Sequence, residues 1–296
     1  MFYLIGLGLS SPEDITLAGL NAIKSSERVY LESYTSFLME ASVSELETFY
    51  GKSIVVADRD MVETQSDKIL EEAQVKNVSF LVVGDPFGAT THTDLLLRCK
   101  ESGIGYKTFH NASILNAIGA TGLSLYNFGQ TVSVPFFDGN WKPTSWVDRL
   151  LDNLELGLHT LLLLDIKVKE QSVENLARGR KIYEPARYMT IPTAIMESIV
   201  DSKNPVDHKP RRTINPDVTL GISVSRVGSS TQAFHAGTLT QLLNLEDVEG
   251  KTFGLPLHSL IIIGQRLNPI ERDYITQFAV DGPHWRRITS ELYNLE

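Results

Sequence analysis

Chemistry is most concentrated in the run Gly84-Asp85-Pro86-Phe87-Gly88-Ala89-Thr90-Thr91-His92, which the apolar stretch Val78–Val83 enters directly. Its two glycines remove side chains where something must come close to the backbone. Asp85 puts a carboxylate at a strand tip, and Thr90 and Thr91 add hydroxyls. Main-chain donors and acceptors with one carboxylate suit a zwitterionic ligand better than a bare phosphate. The same Gly-Asp-Pro tripeptide also makes an ordinary turn. A second glycine turn, Gly6-Leu7-Gly8-Leu9-Ser10-Ser11, begins like a dinucleotide-binding fingerprint, and Glu32 stands about where a ribose-binding acid would. Ser11 replaces the third glycine, the one that lets a helix pack close to its strand. A nicotinamide-dependent oxidoreductase therefore stays open as an alternative.

Other chemistries find less support. The seven histidines (92, 110, 159, 208, 235, 258, 284) make no i, i+4 pair on an expected helix, and no carboxylate completes a ligand set with them, so no metal is expected. His258, in Pro256-Leu-His-Ser259, either faces a ligand or hydrogen-bonds backbone at a strand start. The single cysteine, Cys99, cannot form an internal disulfide and reads as core in a reducing, cytoplasmic setting. No Gly-x-Ser-x-Gly elbow supports a serine hydrolase. Arg178-Gly-Arg180-Lys181 and Lys209-Pro-Arg211-Arg212 read as solvated basic loops, or as contacts for an acidic partner.

The elements that must position these residues follow from pattern. Strands are expected at Phe2–Gly8, Arg28–Leu31, Ser53–Ala57, Val78–Val83 and Tyr106–Phe109, alternating with helices that open on capping boxes at Ser11–Asp14 and Ser42–Glu45. Such alternation implies a parallel sheet, with the 6–12 and 84–88 loops at the edge where ligands bind. From about residues 109–112 onward the rhythm changes. Strands at Thr131–Phe136, His159–Ile166, Val218–Arg226 and Ser259–Gly264, with helices at 113–121, 146–156, 193–200, 240–245 and 269–280, imply a second α/β domain of mixed strand direction. The expected domains are 1–110 and 111–296. Among 296 residues, 42% are hydrophobic and 21% charged, enough for a core. Asp plus Glu (36) exceed Lys plus Arg (27), for a net charge of −9, which disfavours broad nucleic-acid binding. No apolar run approaches the ~18 residues of a membrane span, and Met1–Ile5 lacks the basic region of a signal peptide.

Taken together, several blocks resemble the diphthine synthase family, in its eukaryotic, methyl-ester-forming type, within the tetrapyrrole methylase superfamily. They are Phe2–Ser10 with Asp14–Leu20, Glu32–Ser36, Gly84–His92, His110–Ile114, Gly139–Pro143, His159–Lys167, Arg226–Gly228, Ala236–Leu239 and Pro256–Ser259. The stretch from Glu170 to Pro185 is similar to an insert of the eukaryotic members. Ala186 stands where the family pattern has a second proline, and Ser225 where it has alanine. The resemblance implies a two-domain α/β fold, mainly parallel in the N-terminal sheet and mixed in the C-terminal one. It implies S-adenosylmethionine (SAM) in the cleft between the domains and a homodimer. The implied substrate is a modified histidine of translation elongation factor 2, methylated three times on an amine and once on a carboxylate. Leu9, Asp85, Gly88, Ser113, Ile114, Leu164, Val227 and His258 are the implied SAM contacts. No catalytic residue is implied, since SAM carries its own leaving group. Asp165 is the nearest candidate for holding a cationic acceptor, or else caps backbone at a strand end. A non-catalytic elongation-factor-binding module is the remaining alternative.

Overall fold

The computed structural model describes residues 1–34, 36–138, 141–180, 182–201, 213–245 and 252–293. His208, the Lys209–Arg212 cluster, Lys181, and Gly139 and Asn140 of the Gly139–Pro143 block lie outside them. The chain forms two compact units, the first comprising Met1–Ala117, Val168–Ala186 and Gly228–Ser230, the second the remainder.

The first unit holds β1 (Phe2–Gly6), α1 (Leu17–Ser25), β2 (Arg28–Glu32), α2 (Val43–Tyr50), β3 (Val55–Ala57), α3 (Arg59–Glu63), α4 (Ser66–Val75), β4 (Val78–Val82), α5 (Thr93–Glu101), β5 (Tyr106–Phe109) and α6 (Ile114–Ala117). Its five strands are all parallel, in the order β3-β2-β4-β1-β5. Both faces are covered, so the central strands read as continuous apolar runs. Phe2, Leu4, Phe80 and Val82 pack with Ile69, Leu70, Leu95 and Cys99 on one side. Ile5, Leu7, Leu31 and Leu81 pack with Ile23, Leu46 and Tyr50 on the other. Burial pushes the Cys99 thiol up to about 11, in keeping with a core cysteine. Both expected capping boxes form, at Ser11–Asp14 and at Ser42–Glu45.

The second unit begins with β6 (Val132–Val134), α7 (Ser145–Glu155), β7 (Thr160–Leu164) and β8 (Ile166–Lys167). The chain then contributes α8 (Val173–Ala177) to the first unit and returns at β9 (Arg187–Tyr188), which pairs antiparallel with β8. There follow α9 (Ile191–Asp201), β10 (Leu220–Ser225), β11 (Ala233–Thr238), α10 (Leu239–Leu243), β12 (His258–Ile262), α11 (Pro269–Ile275) and α12 (Gly282–Tyr293). Its sheet is mixed, in the order β11-β10-β12-β7-β6, with only β6 and β7 parallel. One face packs Trp146 and Leu150 of α7, Ile191 and Ile195 of α9 and Leu242 of α10 over Leu162, Leu260 and Ile262. No described helix is long and apolar enough to cross a membrane.

A histidine is buried in each unit. His92 lies on the Phe80 ring, 5.6 Å between centroids, and burial pushes its pKa down to about 4. His159 accepts the Gly264 N–H on Nδ1 at 3.1 Å and is likewise pushed down to about 4 by burial. With folded pKa values below the ordinary ~6.5, the unfolded chain takes up protons first as pH falls. The stability these neutral rings contribute is therefore complete above about pH 6.5 and is lost as pH drops toward about 4, by roughly 1 kcal/mol per unit for each ring. Thermal melts at about pH 7.5 and about pH 5 should show the lower melting temperature at the acidic end, and His92→Phe should flatten that dependence. Equal pH dependence in the variant would contradict this assignment.

Candidate functional site

In the first unit, β1 and β4 are neighbours although their connections leave in opposite directions, to β2 and to β5. Such a switch point opens a crevice beyond the strand ends. Both glycine turns lie there, and Gly8 and Gly84 join them in an isolated antiparallel bridge past the end of the parallel ladder, with Gly84 N donating to Gly8 O at 2.7 Å. Gly6 admits this approach because a Cβ there would stand 2.6 Å from Gly84 O.

Asp85 uses its carboxylate to fold this region. Oδ1 accepts the Phe87 N–H at 2.8 Å, and Oδ2 accepts the Asn111 N–H at 2.9 Å and faces His110 Nδ1 at 3.1 Å. The strand-tip loop is thereby tied to the segment that opens α6. Gly88 then seats on Ser113, where a Cβ would lie 2.6 Å from Oγ and 2.7 Å from Cβ. Asp85, Gly88, Ser113 and, next along the chain, Ile114 form one group. Leu9 sits beside the first turn, and a Cβ on Gly228 would come within 2.7 Å of the Leu9 Cβ. Ser10 Oγ donates to Gly228 O at 3.1 Å. Gly228 is the covalent neighbour of Val227.

The remaining candidates belong to the second unit, at one edge of its sheet. Ser225 of β10 pairs with His258 of β12, and Ser259 pairs with Leu163, so Leu164 ends β7 next to the start of β12. His258 Nε2 donates to Phe253 O at 3.3 Å, the backbone bond open to a strand-start histidine. Ser225, the departure from the family pattern, is fully buried in this row. Asp165 Oδ2 accepts the Phe136 N–H at 3.0 Å, which is the capping role.

Two residues that sequence reasoning left without a role organise these groups. Asn111 Nδ2 donates to Gly6 O and Asp14 O, each at 3.0 Å, bracing the first turn. Arg226 reaches four oxygens: Nε donates to Thr231 Oγ1 at 2.9 Å, Nη2 to Thr231 O at 2.8 Å, and Nη1 to Phe253 O at 2.8 Å and to Leu255 O. An asparagine or arginine inside a recognised block was the available signal. Strain marks the same places. Ala89 and Arg226, two of the three described non-glycine residues with positive φ, adjoin Gly88 and Val227.

The dinucleotide alternative is overturned on two observations. β4 lies between β1 and β2, so Glu32 is not beside the Gly6–Gly8 turn, and its carboxylate instead accepts the Tyr34 N–H at 3.2 Å. The amides that would cradle a pyrophosphate, those of Leu9, Ser10 and Ser11, already donate to Asp14 Oδ2 at 3.2, 2.8 and 3.1 Å. No group of three or more His, Cys, Asp or Glu able to hold a metal occurs among the described residues.

Comparison with known proteins bears directly on this geometry. Residues 1–199 match the family Tetrapyrrole (Corrin/Porphyrin) Methylases. The diphthine methyl ester synthase of Saccharomyces cerevisiae is 54% identical over 95% of this chain and 90% of its own length. That of Neurospora crassa is 52% identical over 99% of each. A crystal structure from Entamoeba histolytica, described as a diphthine synthase, is 40% identical, covers 95% of this chain and 99% of its own, and superposes with a TM-score of 0.80.

Proposed function

From the premise that the chain belongs to the tetrapyrrole (corrin/porphyrin) methylase family and, within it, to the diphthine methyl ester synthases, we propose how its residues carry out methyl transfer and to what acceptor. The chain is a SAM-dependent methyltransferase of diphthamide biosynthesis. The acceptor in this reading is elongation factor 2, at a modified histidine whose amine is methylated three times and whose carboxylate is esterified once. The enzyme works as a cytoplasmic homodimer in the same reading. The single observation that carries the placement of the cofactor is the Asp85-braced loop that seats Gly88 against Ser113 at a strand switch point.

The residues present fit SAM. Gly88 packed on Ser113, with apolar Ile114 next along the chain and Leu9 in the first glycine turn, leaves main-chain groups at the strand tips that suit an adenosyl group. Leu9, Asp85, Gly88, Ser113 and Ile114 of the first unit and Leu164, Val227 and His258 of the second are the proposed contacts. When bound, SAM supplies a methyl group on a positive sulfonium, with a neutral thioether, S-adenosylhomocysteine, as the product. The protein's work is then positioning. Leu164 and Val227 provide apolar surface that keeps water from the transferring carbon, and the Asp85 and Arg226 clamps fix the loops that carry the contacts. Holding an acceptor in line in this way can lower the barrier by several kcal/mol. The acceptor amine must lose a proton before each of its three methylations, whereas a carboxylate oxygen needs no base. One fixed base would have to suit three successive amines and then an oxygen, so no general base is assigned and the amine protons pass to solvent. Asp165, whose Oδ2 caps the Phe136 N–H, is in this reading the candidate for holding a cationic acceptor.

Intact-mass measurement of unmodified-precursor elongation factor after incubation with enzyme and SAM tests this. Four successive methyl increments are expected, one of them labile to mild alkali as an ester. A mass that never changes would instead leave the non-catalytic binding module.

A further inference from the structure

Beyond the last residues of β6 and β7, two cations converge on one carboxylate. Lys167 of β8 and Arg187 of β9 are directly opposed in the antiparallel register. Like charges in that relation destabilise a strand pair unless an anion lies with them. Asp138 is that anion. Lys167 Nζ pairs with its Oδ2, and Arg187 Nη2 lies 3.6 Å from its Oδ1. These cations hold the Asp138 carboxyl below its ordinary range, chiefly through the Lys167 hydrogen bond. Both cations also stand over the Phe136 ring, 5.9 and 5.2 Å from its centroid. The Lys167 side chain is 13% exposed, whereas that of Asp138 is 46% exposed. A mostly sheltered ammonium therefore meets a half-open partner.

The hairpin is anchored to the strand edge already described. Asp165 N donates to Val134 O at 3.1 Å, and Met189 N donates to Asp165 O at 3.0 Å. Lys167 is three residues beyond Leu164.

We propose that Lys167 and Arg187 form a carboxylate-binding pair of the methyl-transfer site, with Asp138 as the resident carboxylate that a ligand carboxylate joins or displaces. The inference rests on the proposed function, in which Leu164 at the end of β7 is a cofactor contact. Its chemistry matches the activity, since forming a methyl ester requires an acceptor carboxylate. The α-carboxylate of SAM is the second source of the same chemistry. Arg187 offers two parallel N–H donors to such a group, and Lys167 a point charge. The Phe136 ring attracts both cations, and Lys167, the sheltered one, is the more strongly desolvated.

The test measures SAM affinity by calorimetry and the KM for precursor elongation factor in Lys167→Met, Arg187→Met and their double variant, with Arg187→Lys as the charge-conserving arm. A rise in KM of about ten- to a hundredfold in the double variant, with SAM affinity unchanged, assigns the pair to the acceptor carboxylate. A comparable loss of SAM affinity assigns it to the cofactor. Either result supports the pair, and no change in both overturns it. Asp138→Asn separates a binding role from a merely structural one: it removes the resident negative charge, so the affected affinity should hold or improve. If Asp138→Asn weakens binding as the cation variants do, the cluster only holds the hairpin and the proposal fails. Gly88→Val, run alongside, keeps the two readings apart. Retained SAM binding there sinks the cofactor placement, whereas lost SAM binding with unaltered Lys167 and Arg187 variants sinks the pair alone.

Discussion

Gly88→Val should abolish SAM binding in calorimetry while leaving the far-ultraviolet circular dichroism and the two-unit fold intact. The reason is space rather than backbone conformation. A Cβ at residue 88 would stand 2.6 Å from Ser113 Oγ, 2.7 Å from Ser113 Cβ and 3.5 Å from Asp85 Cβ. Contacts below 3.0 Å force something to move, and what moves is the first turn of α6 or the loop itself. A cofactor seated on that loop loses its floor in either case. Overpacking of this kind costs about 1–3 kcal/mol of stability, which a well-covered parallel sheet with its loop at the strand tips can bear. Gly88→Ala should show the same effect in smaller measure, a loss of affinity of about tenfold or more. Combining it with Ser113→Gly removes both offending atoms and should restore part of the affinity. Wild-type affinity in Gly88→Val would mean that SAM does not use this loop, and absence of rescue in the double variant would remove the steric explanation.

Much of this was readable in the chain because periodicity and punctuation agree where helices and strands alternate. All five strands of the first sheet fall at the expected places. The expected parallel and mixed sheets both form. The failures have physical causes. β11, Ala233-Phe-His-Ala-Gly-Thr238, separates its strand-favouring Phe234 and Thr238 with alanine and glycine and exists because β10 offers it a ladder from Leu220 to Ser225. The final helix escaped notice although Asp281 Oδ1 accepts the His284 N–H at 2.9 Å, as a start signal of the Asp281-Gly-Pro283 kind allows. The helix expected from Ser11 is split, a short turn at Pro12–Asp14 preceding α1, because Asp14 spends its carboxylate on three amides of the glycine turn.

The candidate site was legible in part for the same reason. Residue types and order pointed to Gly84–Gly88, but single-chain spacing cannot show that Asn111 reaches back over a hundred positions to Gly6, or that Arg226 closes on Phe253 and Leu255. Such long-range side-chain-to-backbone bonds are satisfied only once the strands are in place. Sequence order also hid the return of 168–186 and 228–230 to the first unit, in which Glu184 N donates to Glu170 O at 2.8 Å.

Asp85→Ala is expected to lower SAM affinity by at least about tenfold and stability by about 2 kcal/mol. The two effects share one origin. The carboxylate is the acceptor for the Phe87 and Asn111 amides and the neighbour of His110 Nδ1. Removing it leaves two amide donors to find water and releases Asn111, whose side chain braces the carbonyls of Gly6 and Asp14. Both glycine turns should therefore loosen together, and hydrogen exchange should quicken at residues 6–14 and 84–90 alike. Asp85→Asn distinguishes holding the loop from touching the cofactor. An asparagine keeps one acceptor oxygen, so it preserves one of the two amide bonds, and a loop-holding role then gives an intermediate affinity. A direct ionic role toward the SAM ammonium would make asparagine as damaging as alanine, because the charge is lost in both. Coupled loosening with intermediate affinity in Asp85→Asn is the expected result, since the geometry already commits both carboxylate oxygens to protein partners. A lowered melting temperature with unchanged SAM affinity in Asp85→Ala would detach this carboxylate, and the loop it folds, from cofactor binding.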